Sequence, residues 1–254
     1  MVGVLGVSAS AILVRFSQAP SGVTAAYRLG WTVLLLLPVV LLRCRAELRR
    51  VTARDLVLCG ASGVLLALHF LTWFESLKRT SVASSTVLVS TEVIFTALGF
   101  ALFLHGKIPR LGVWAILLAF GGSALLALSG GGGAGELSGN LLALAAASAA
   151  AVYTLIGRIQ RGHLSTTVYT FLTYLACFLT LLLGTAAAGT PLTGYGGREW
   201  LIGLALAVLC TLLGHSLFSW CLKYLSPSYV SAAKLCEPVF SSLAAIPLFG
   251  EVPG

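Results

Sequence analysis

Long apolar runs separated by short polar stretches make up most of this 254-residue chain. A helix needs about 20 mostly apolar residues to cross the hydrocarbon core of a bilayer. The runs are continuous, whereas the strands of a membrane barrel would alternate apolar and polar positions. The pattern therefore predicts an all-α bundle of about nine transmembrane helices. They are expected at residues 2–16, 23–42, 56–77, 82–104, 111–129, 140–157, 167–188, 200–222 and 229–249.

Composition supports a membrane location. Hydrophobic residues make up 58% of the chain and charged residues only 9%, whereas a soluble domain carries about a quarter charged residues. The net charge of +8 is spread thinly and forms no basic stripe with interleaved aromatics, so we expect no nucleic-acid partner. The six cysteines show no C-x-x-C spacing and are predicted to pack as small apolar residues. The expected surroundings are a lipid bilayer.

The loops orient the predicted bundle. The loop RCRAELRRVTARD, between the second and third predicted spans, carries five arginines. If the spans alternate in direction, ten loop Lys and Arg residues lie on the side of this loop and four on the other. Because cationic loops stay on the cytoplasmic side, this side and the N-terminus are predicted to be cytoplasmic. The expected location is a cell membrane, plasma or inner.

Two segments of the chain repeat. SLKRTSVASSTVLVSTEVIFTAL, from Ser76, aligns with CLKYLSPSYVSAAKLCEPVFSSL, from Cys221, at a shift of 145 residues that places Glu92 on Glu237. The shift corresponds to five predicted helices, an odd number, so the two copies should cross the membrane in opposite directions. Such inverted repeats are typical of transporters. We predict repeats at residues 1–130 and 139–254, with helices one to five and six to nine, joined by a flexible Gly-rich connector around residues 130–139.

Two windows carry a family resemblance: LHFLTWFESLKRTSVASSTVLVSTEVIFTALGFALFLHGKIPR and YLSPSYVSAAKLCEPVFSSLAAIPLFGEVPG. The second contains Glu-Pro-Val-Phe at 237–240 and Gly-Glu at 250–251. With these motifs the chain resembles the EamA-type members of the drug/metabolite transporter superfamily. The first window departs from the family pattern, because Val93 stands where proline is usual and Lys107 where glutamate is usual.

The resemblance implies two inverted five-helix repeats, of which the tenth helix is absent here. It also implies a secondary transporter, an exporter or exchanger of small polar metabolites, amino acids or drugs. A small-molecule substrate is then the expected partner, with protons as a coupling ion and a homodimer left open. The chain lacks G-x-S-x-G and H-E-x-x-H motifs, so we predict no enzyme, catalytic residue, cofactor or metal site. A membrane channel or passive receptor is the alternative function, and a membrane-embedded enzyme is a more distant one.

Three charged residues lie deep in predicted spans, where a charge costs about 2.5–3.5 kcal/mol on insertion scales. Lys234 and Glu237 are three residues apart on one helix face, which Ser241 extends, and we predict that they pair. Pro238 should loosen the helix beside them. The pair either lines a substrate site or is a structural ion pair that locks its helix into the bundle.

The third deep charge, Glu92, shares a polar stripe with Ser85 and Thr96 and has no cation within a helical turn. Desolvation favours the protonated form of an unpaired carboxylate. Glu92 is therefore predicted either to couple transport to protons or to stay protonated in a hydrogen bond to a neighbouring helix. Arg28 lies about 8 Å into its span. It is predicted either to snorkel outward or to bind a substrate carboxylate.

Weaker signals come from other polar and aromatic positions. Thr173 belongs to a threonine-rich helix face, which either lines a cavity or bonds back to its own backbone. Trp73 is predicted to lie in an interfacial aromatic belt, and His69 and His215 to pack singly among apolar residues. The site hypothesis places Glu92 and Glu237 at similar depth on opposite sides of one cavity, with Lys234 neutralising Glu237.

Overall fold

The structure is a computed structural model that describes residues 2–107, 110, 112–114, 117–118, 121–122 and 134–250. Within these residues every regular element is helical. The described part of the chain contains eight long helices: α1 Val2–Phe16, α2 Ser21–Arg43, α3 Ala53–Arg79, α4 Val82–Phe103, α5 Ala134–Gln160, α6 Thr166–Ala187, α7 Gly197–Cys221 and α8 Pro227–Phe249. Seven of them, α2 to α8, are long and apolar enough to cross a membrane, while α1 is apolar and 15 residues long.

The predicted spans match these helices to within a few residues, apart from the start of α5. The predicted span 111–129 lies mostly outside the described residues. The predicted flexible connector at 130–139 is wrong over residues 134–139, which are helical and extend α5 beyond its predicted start. Gly139 shows what allows this extension. A Cβ there would lie only 3.0 Å from the Cβ of Arg79 and 3.1 Å from that of Thr80. Glycine therefore lets the start of α5 pack directly on the end of α3.

Side-chain caps define where several helices begin. Thr52 and Asp55 form a reciprocal capping box at the start of α3. Ser81 caps α4 and Ser226 caps α8, each accepting a hydrogen bond from a backbone N–H of the first turn, at 3.1 and 3.3 Å. The two serines occupy equivalent positions in the repeated segments, so the same local chemistry starts the same helix in both halves.

Contacts between helix ends show how the chain alternates in direction. Arg79, at the end of α3, reaches Ser138 near the start of α5, at 3.5 Å, and Gln160 at the end of α5 donates to Asp55 at the start of α3, at 3.1 Å. Helices α3 and α5 are therefore antiparallel. Arg15, at the end of α1, donates to carbonyls at the end of α3, so α1 runs in the same direction as α3. The first helices of the two halves, α1 and α5, consequently run in opposite directions.

In each half, one helix packs against two helices of the other half. Helix α3 packs against α5 and α6, and α7 packs against α1 and α2. Small residues allow both close approaches. A Cβ on Gly63 of α3 would lie 2.6 Å from the Thr173 carbonyl oxygen of α6, and one on Gly203 of α7 would lie 2.7 Å from the Cβ of Tyr27 of α2. Helices α3 and α7 thus form much of the contact between the two halves.

Three of the long helices are irregular near their middle. Helix α4 is interrupted at Ser90 and Thr91, between Val82–Val89 and Glu92–Phe103. Helix α8 passes through the 3-10 turn Lys234–Cys236 before the regular segment Glu237–Phe249. Helix α7 contains the π-helical stretch Leu206–His215. In α4 and α8 the regular helix resumes at a glutamate, so the fold places Glu92 and Glu237 at matching breaks.

Candidate functional site

The irregular segments of α4, α7 and α8 meet at a small polar cavity in the middle of the bundle. Its wall is formed by Val7, Ser10, His69, Trp73, Val89, Ser90, Glu92, His215, Ser231, Lys234 and Glu237. The cavity volume is about 30 Å³. That is room for one or two water molecules, whereas drug-sized ligands occupy pockets of about 300–1,000 Å³. In the described conformation the cavity is therefore too small for such a ligand.

Glu92 is held by an ion pair with Lys234. The Lys234 Nζ lies 2.9 and 3.0 Å from the two carboxylate oxygens, and both side chains are largely buried. The hydroxyls of Thr154 and Ser231 donate to the same oxygen, Oε1, at 3.0 and 3.2 Å. A buried carboxylate with a cation and two hydroxyl donors is well compensated, and it joins α4, α5 and α8.

Two predictions about this pair are therefore wrong. Lys234 binds Glu92 and not Glu237, and Glu92 does have a cation, supplied by another helix. The reason is the backbone between Lys234 and Glu237: the 3-10 turn over 234–236 replaces the α-helical spacing that the prediction assumed. Among the described residues, no hydrogen bond or ion pair reaches the Glu237 carboxylate, although Glu237 is buried at 7% exposure and lines the cavity.

Arg28 is completely buried, which excludes the predicted snorkelling. Its Nε donates to Thr211 at 2.7 Å and its Nη1 to Ser10 at 3.0 Å, while its guanidinium carbon lies 4.2 Å from the centre of the Phe70 ring. Its Nη2 has no hydrogen-bond partner, and no carboxylate of the described residues forms an ion pair with it. Because Ser10 also lines the cavity, this cation lies directly behind the cavity wall.

Sequence reasoning missed three aromatic wall residues. Trp73 is 3% exposed and faces the cavity, so its predicted place in an interfacial belt is wrong. Its ring stacks on that of His69, with centroids 5.7 Å apart, and His69 lies 6.3 Å from the ring of His215. The histidines are therefore neighbours and not single packed residues. His215 lies one residue beyond the repeat position of His69, a signal in the sequence that could have linked them.

The remaining predicted residues lie around the site or away from it. The Thr96 hydroxyl lies 3.3 Å from that of Ser231, which donates to Glu92, and so Thr96 supports the Glu92 pair indirectly. Ser85 bonds to Ser76 at 2.9 Å, and Ser241 donates to the Glu237 backbone carbonyl at 2.8 Å. Thr173 is buried without a partner at the contact between α6 and α3. Ser85, Thr173 and Ser241 are not part of the cavity wall.

The arrangement presents charged, hydrogen-bonding and aromatic groups to a small polar cavity. No group of three His, Cys, Asp or Glu side chains in the described part of the chain could hold a metal ion. The two carboxylates and the lysine provide charged contacts, and the histidines, the serines and Trp73 add polar and aromatic surface. A bundle of apolar helices around such a centre defines a polytopic membrane protein with a buried polar site.

Comparison with known proteins identifies the family. The family model described as "EamA-like transporter family" matches residues 1–128 and again residues 137–254. The chain therefore belongs to the EamA-like transporter family, in two copies of its repeat. A solved structure described only as "Crystal structure of protein" superposes with a TM-score of 0.72 and 20% identity, covering 99% of this chain and 88% of that one. At that identity the likeness shows the fold alone. The search of curated proteins finds no match.

Proposed function

We propose that this protein is a secondary transporter that moves small polar metabolites, amino acids or drugs by alternating access. Membership of a transporter family and a buried polar centre between two oppositely directed halves support this proposal. The proposed location is a plasma or inner membrane. The N-terminus and the arginine-rich loop that follows α2 are proposed to face the cytoplasm, because loops rich in Lys and Arg stay on that side.

The observation that carries the mechanism is the contrast between the two buried carboxylates. Glu92 is neutralised by Lys234, whereas Glu237 faces the cavity without a partner among the described residues. A carboxylate without a cation in a desolvated site favours its protonated form and ionises when water or a cation reaches it. Glu237 is therefore the group proposed to take up and release the coupling proton, in place of the Glu92 role expected from the sequence.

The charges around the cavity also support a substrate with separated opposite charges. Arg28 has an unused donor behind the wall, and Glu237 offers an unpaired carboxylate on the cavity side. An amino-acid-like molecule would place its carboxylate toward Arg28 and its ammonium toward Glu237. The stacked Trp73 and His69 rings would contact its side chain.

The test begins by finding a substrate. Purified protein is screened for thermal stabilisation by a metabolite panel at two pH values, and the hits are assayed for uptake into proteoliposomes under an imposed pH gradient. Glu237→Gln is expected to abolish gradient-driven accumulation while retaining exchange of substrate across the membrane, because the uncharged amide keeps the site but not the proton. Accumulation by Glu237→Gln equal to that of the unmodified protein would contradict the coupling role.

A second measurement separates a carrier from a channel. A carrier accelerates labelled-substrate uptake when unlabelled substrate is present on the opposite side, because each reorientation then carries substrate. A channel shows no such acceleration. Uptake without this trans-stimulation, for every substrate found, would overturn alternating access.

A further inference from the structure

Two buried carboxylates outside the cavity lie at matching places in the two halves. Asp55 is the third residue of α3, and Glu199 is the third residue of α7. Each residue is 5% exposed. The alternating chain direction places the start of α3 at the arginine-rich end of the bundle, which carries residues 43–54, and the start of α7 at the opposite end. The same kind of group therefore occupies both ends of the molecule.

Asp55 binds the connection between α5 and α6. Its Oδ1 accepts a hydrogen bond from the Gln160 Nε2 at 3.1 Å and lies 2.7 Å from the Nε2 of His163. Nearby, the Glu47 carboxylate accepts from the backbone N–H of Ser165 at 2.6 Å. All of these bonds join the first half of the chain to the second half at the arginine-rich end.

Glu199 makes the corresponding contact at the other end. It accepts hydrogen bonds from the Ser17 hydroxyl at 2.6 Å and from the Gln18 backbone N–H at 3.1 Å, in the connection between α1 and α2. The neighbouring Arg198 donates to the Phe16 carbonyl at 3.1 Å. The α1–α2 connection is the counterpart of the α5–α6 connection, so each half holds the same connection of the other half.

Other matched contacts stay within one half. Arg15, at the end of α1, donates to the backbone carbonyl of Thr80 at 3.3 Å, just beyond α3. Arg158, near the end of α5, donates to the carbonyls of Leu222 and Leu225, at 2.6 and 3.4 Å, just beyond α7. These arginine contacts tie the first helix of each half to the third helix of the same half. They can persist while the halves move relative to each other, whereas the carboxylate contacts cannot.

From this arrangement we infer that Asp55 and Glu199 are paired gating residues, one at each end of the transport path. With both sets of contacts formed, the two ends are held together around a cavity of about 30 Å³. Opening at the arginine-rich end breaks the Asp55 contacts to Gln160 and His163 and keeps those of Glu199. Opening at the other end breaks the Glu199 contacts and keeps those of Asp55. This inference rests on the proposed alternating-access function.

The experiment measures opening at each end by hydrogen–deuterium exchange of the full chain in lipid nanodiscs. Asp55→Asn is expected to raise exchange at residues 157–166 on the order of tenfold, the size expected for loss of a hydrogen-bonded charge. Exchange at residues 14–22 should stay at or below that of the unmodified protein. Glu199→Gln should produce the reverse pattern. The double variant should raise exchange at both ends.

Variants on the partner side keep the helix starts intact. His163→Ala should reproduce the direction of Asp55→Asn, and Ser17→Ala that of Glu199→Gln. The matched control is Glu75→Gln, because Glu75 bonds to Ser21 and Arg79 within the first half, at 3.0 and 2.8 Å. This control should leave residues 157–166 unchanged, and within residues 14–22 it should affect only the start of α2 at Ser21, which donates to Glu75.

Two outcomes would overturn the gating role. One is an increase in exchange at both ends by either single variant, which is the signature of a merely structural contact. The other is no change at either end. Both outcomes are measured without reference to substrate transport. If exchange shifts as expected but no substrate is transported, the proposed function is wrong and the two sets of end contacts still open independently. If substrate is transported but exchange does not shift, the gating role is wrong and the proposed function stands.

Discussion

The broken helices α4 and α8 reach the same geometry with different residues. In α4 the hydroxyls of Ser90 and Thr91 bond back to backbone carbonyls, at 2.8 and 2.7 Å, and no proline is needed. In α8 a 3-10 turn precedes Glu237, and Pro238 takes one of the first helical positions, where a missing N–H costs little. Two local solutions therefore place a glutamate at the start of a helical segment beside the cavity.

The chemistry at the two breaks nevertheless differs. Glu92 receives Lys234 and two hydroxyl groups, and the lysine comes from the other half. The repeat partner of Lys234 is Val89, so the equivalent position of the first half offers no cation to Glu237. The two equivalent glutamates thus have one lysine between them. It neutralises Glu92, and Glu237 has no ion-pair partner among the described residues. Similar backbones with a lysine in only one half therefore distinguish the ion-paired carboxylate of Glu92 from that of Glu237, which is proposed to act in transport.

The largest expected effect comes from removing the shared lysine. Lys234→Met leaves Glu92 as a buried charge without a counterion and should lower the free energy of unfolding by about 3–5 kcal/mol. Denaturant titration of the purified protein in mixed micelles measures the change. Glu237→Gln should change stability far less, because Glu237 has no partner to lose among the described residues.

The double variant Lys234→Met with Glu92→Gln sharpens this comparison. Removing both charges together should restore most of the lost stability, since neither partner is then buried alone. Lys223→Met, at an exposed position, serves as a control for loss of a lysine. If the double variant is as unstable as Lys234→Met, the ion pair is not the reason for the loss.

A smaller loss of stability is expected from alanine at the two glycines where helices of the two halves come closest, and its size should differ between them. A Cβ on Gly63 would meet the Ala176 Cβ at 2.5 Å and the Thr173 carbonyl at 2.6 Å, and backbone cannot move aside as easily as a side chain. Gly63→Ala should therefore cost about 1–3 kcal/mol of unfolding free energy. Gly203→Ala, which meets mainly the Tyr27 Cβ at 2.7 Å, should cost less.

Gly60→Ala is the matched control on the same helix, because nothing lies within 4 Å of a Cβ at that position. It should be neutral or stabilise α3 by about 0.5–1 kcal/mol through helix propensity. Equal destabilisation by the substitutions at positions 60 and 63 would mean that helix contact does not explain the glycine at 63.

The smallest effect tests the likeness of the two halves directly. Ser81→Ala and Ser226→Ala each remove one side-chain cap from the start of α4 or α8 and should cost about 0.5–2 kcal/mol. Thermal unfolding should show losses of similar size, because the two caps have the same geometry. Rescue by threonine at either position would show that the lost hydroxyl is responsible, and a loss in only one half would contradict equivalent helix starts.

The amino-acid sequence by itself determined eight of the predicted helical spans, the repeat and the buried position of Glu92 and Glu237. Each follows from a local property: the apolar length of a segment, its likeness to another segment, or a charge far from either end of a span. The same local reasoning predicted a loosened helix around Pro238. It could not predict the matching break in α4, because the back-bonding of Ser90 and Thr91 depends on a backbone geometry that many serines and threonines never adopt.

Only the tertiary structure decided which charged groups meet. Lys234 lies three residues from Glu237 in sequence yet binds Glu92 on another helix, because a 3-10 turn and helix packing set the direction of its side chain. Packing also brought His69 beside His215 and enclosed Arg28, and it placed Asp55 and Glu199 against the connections of the opposite half. Hydropathy measures the cost of burying each residue, whereas partner choice depends on distances between helices that no single segment contains.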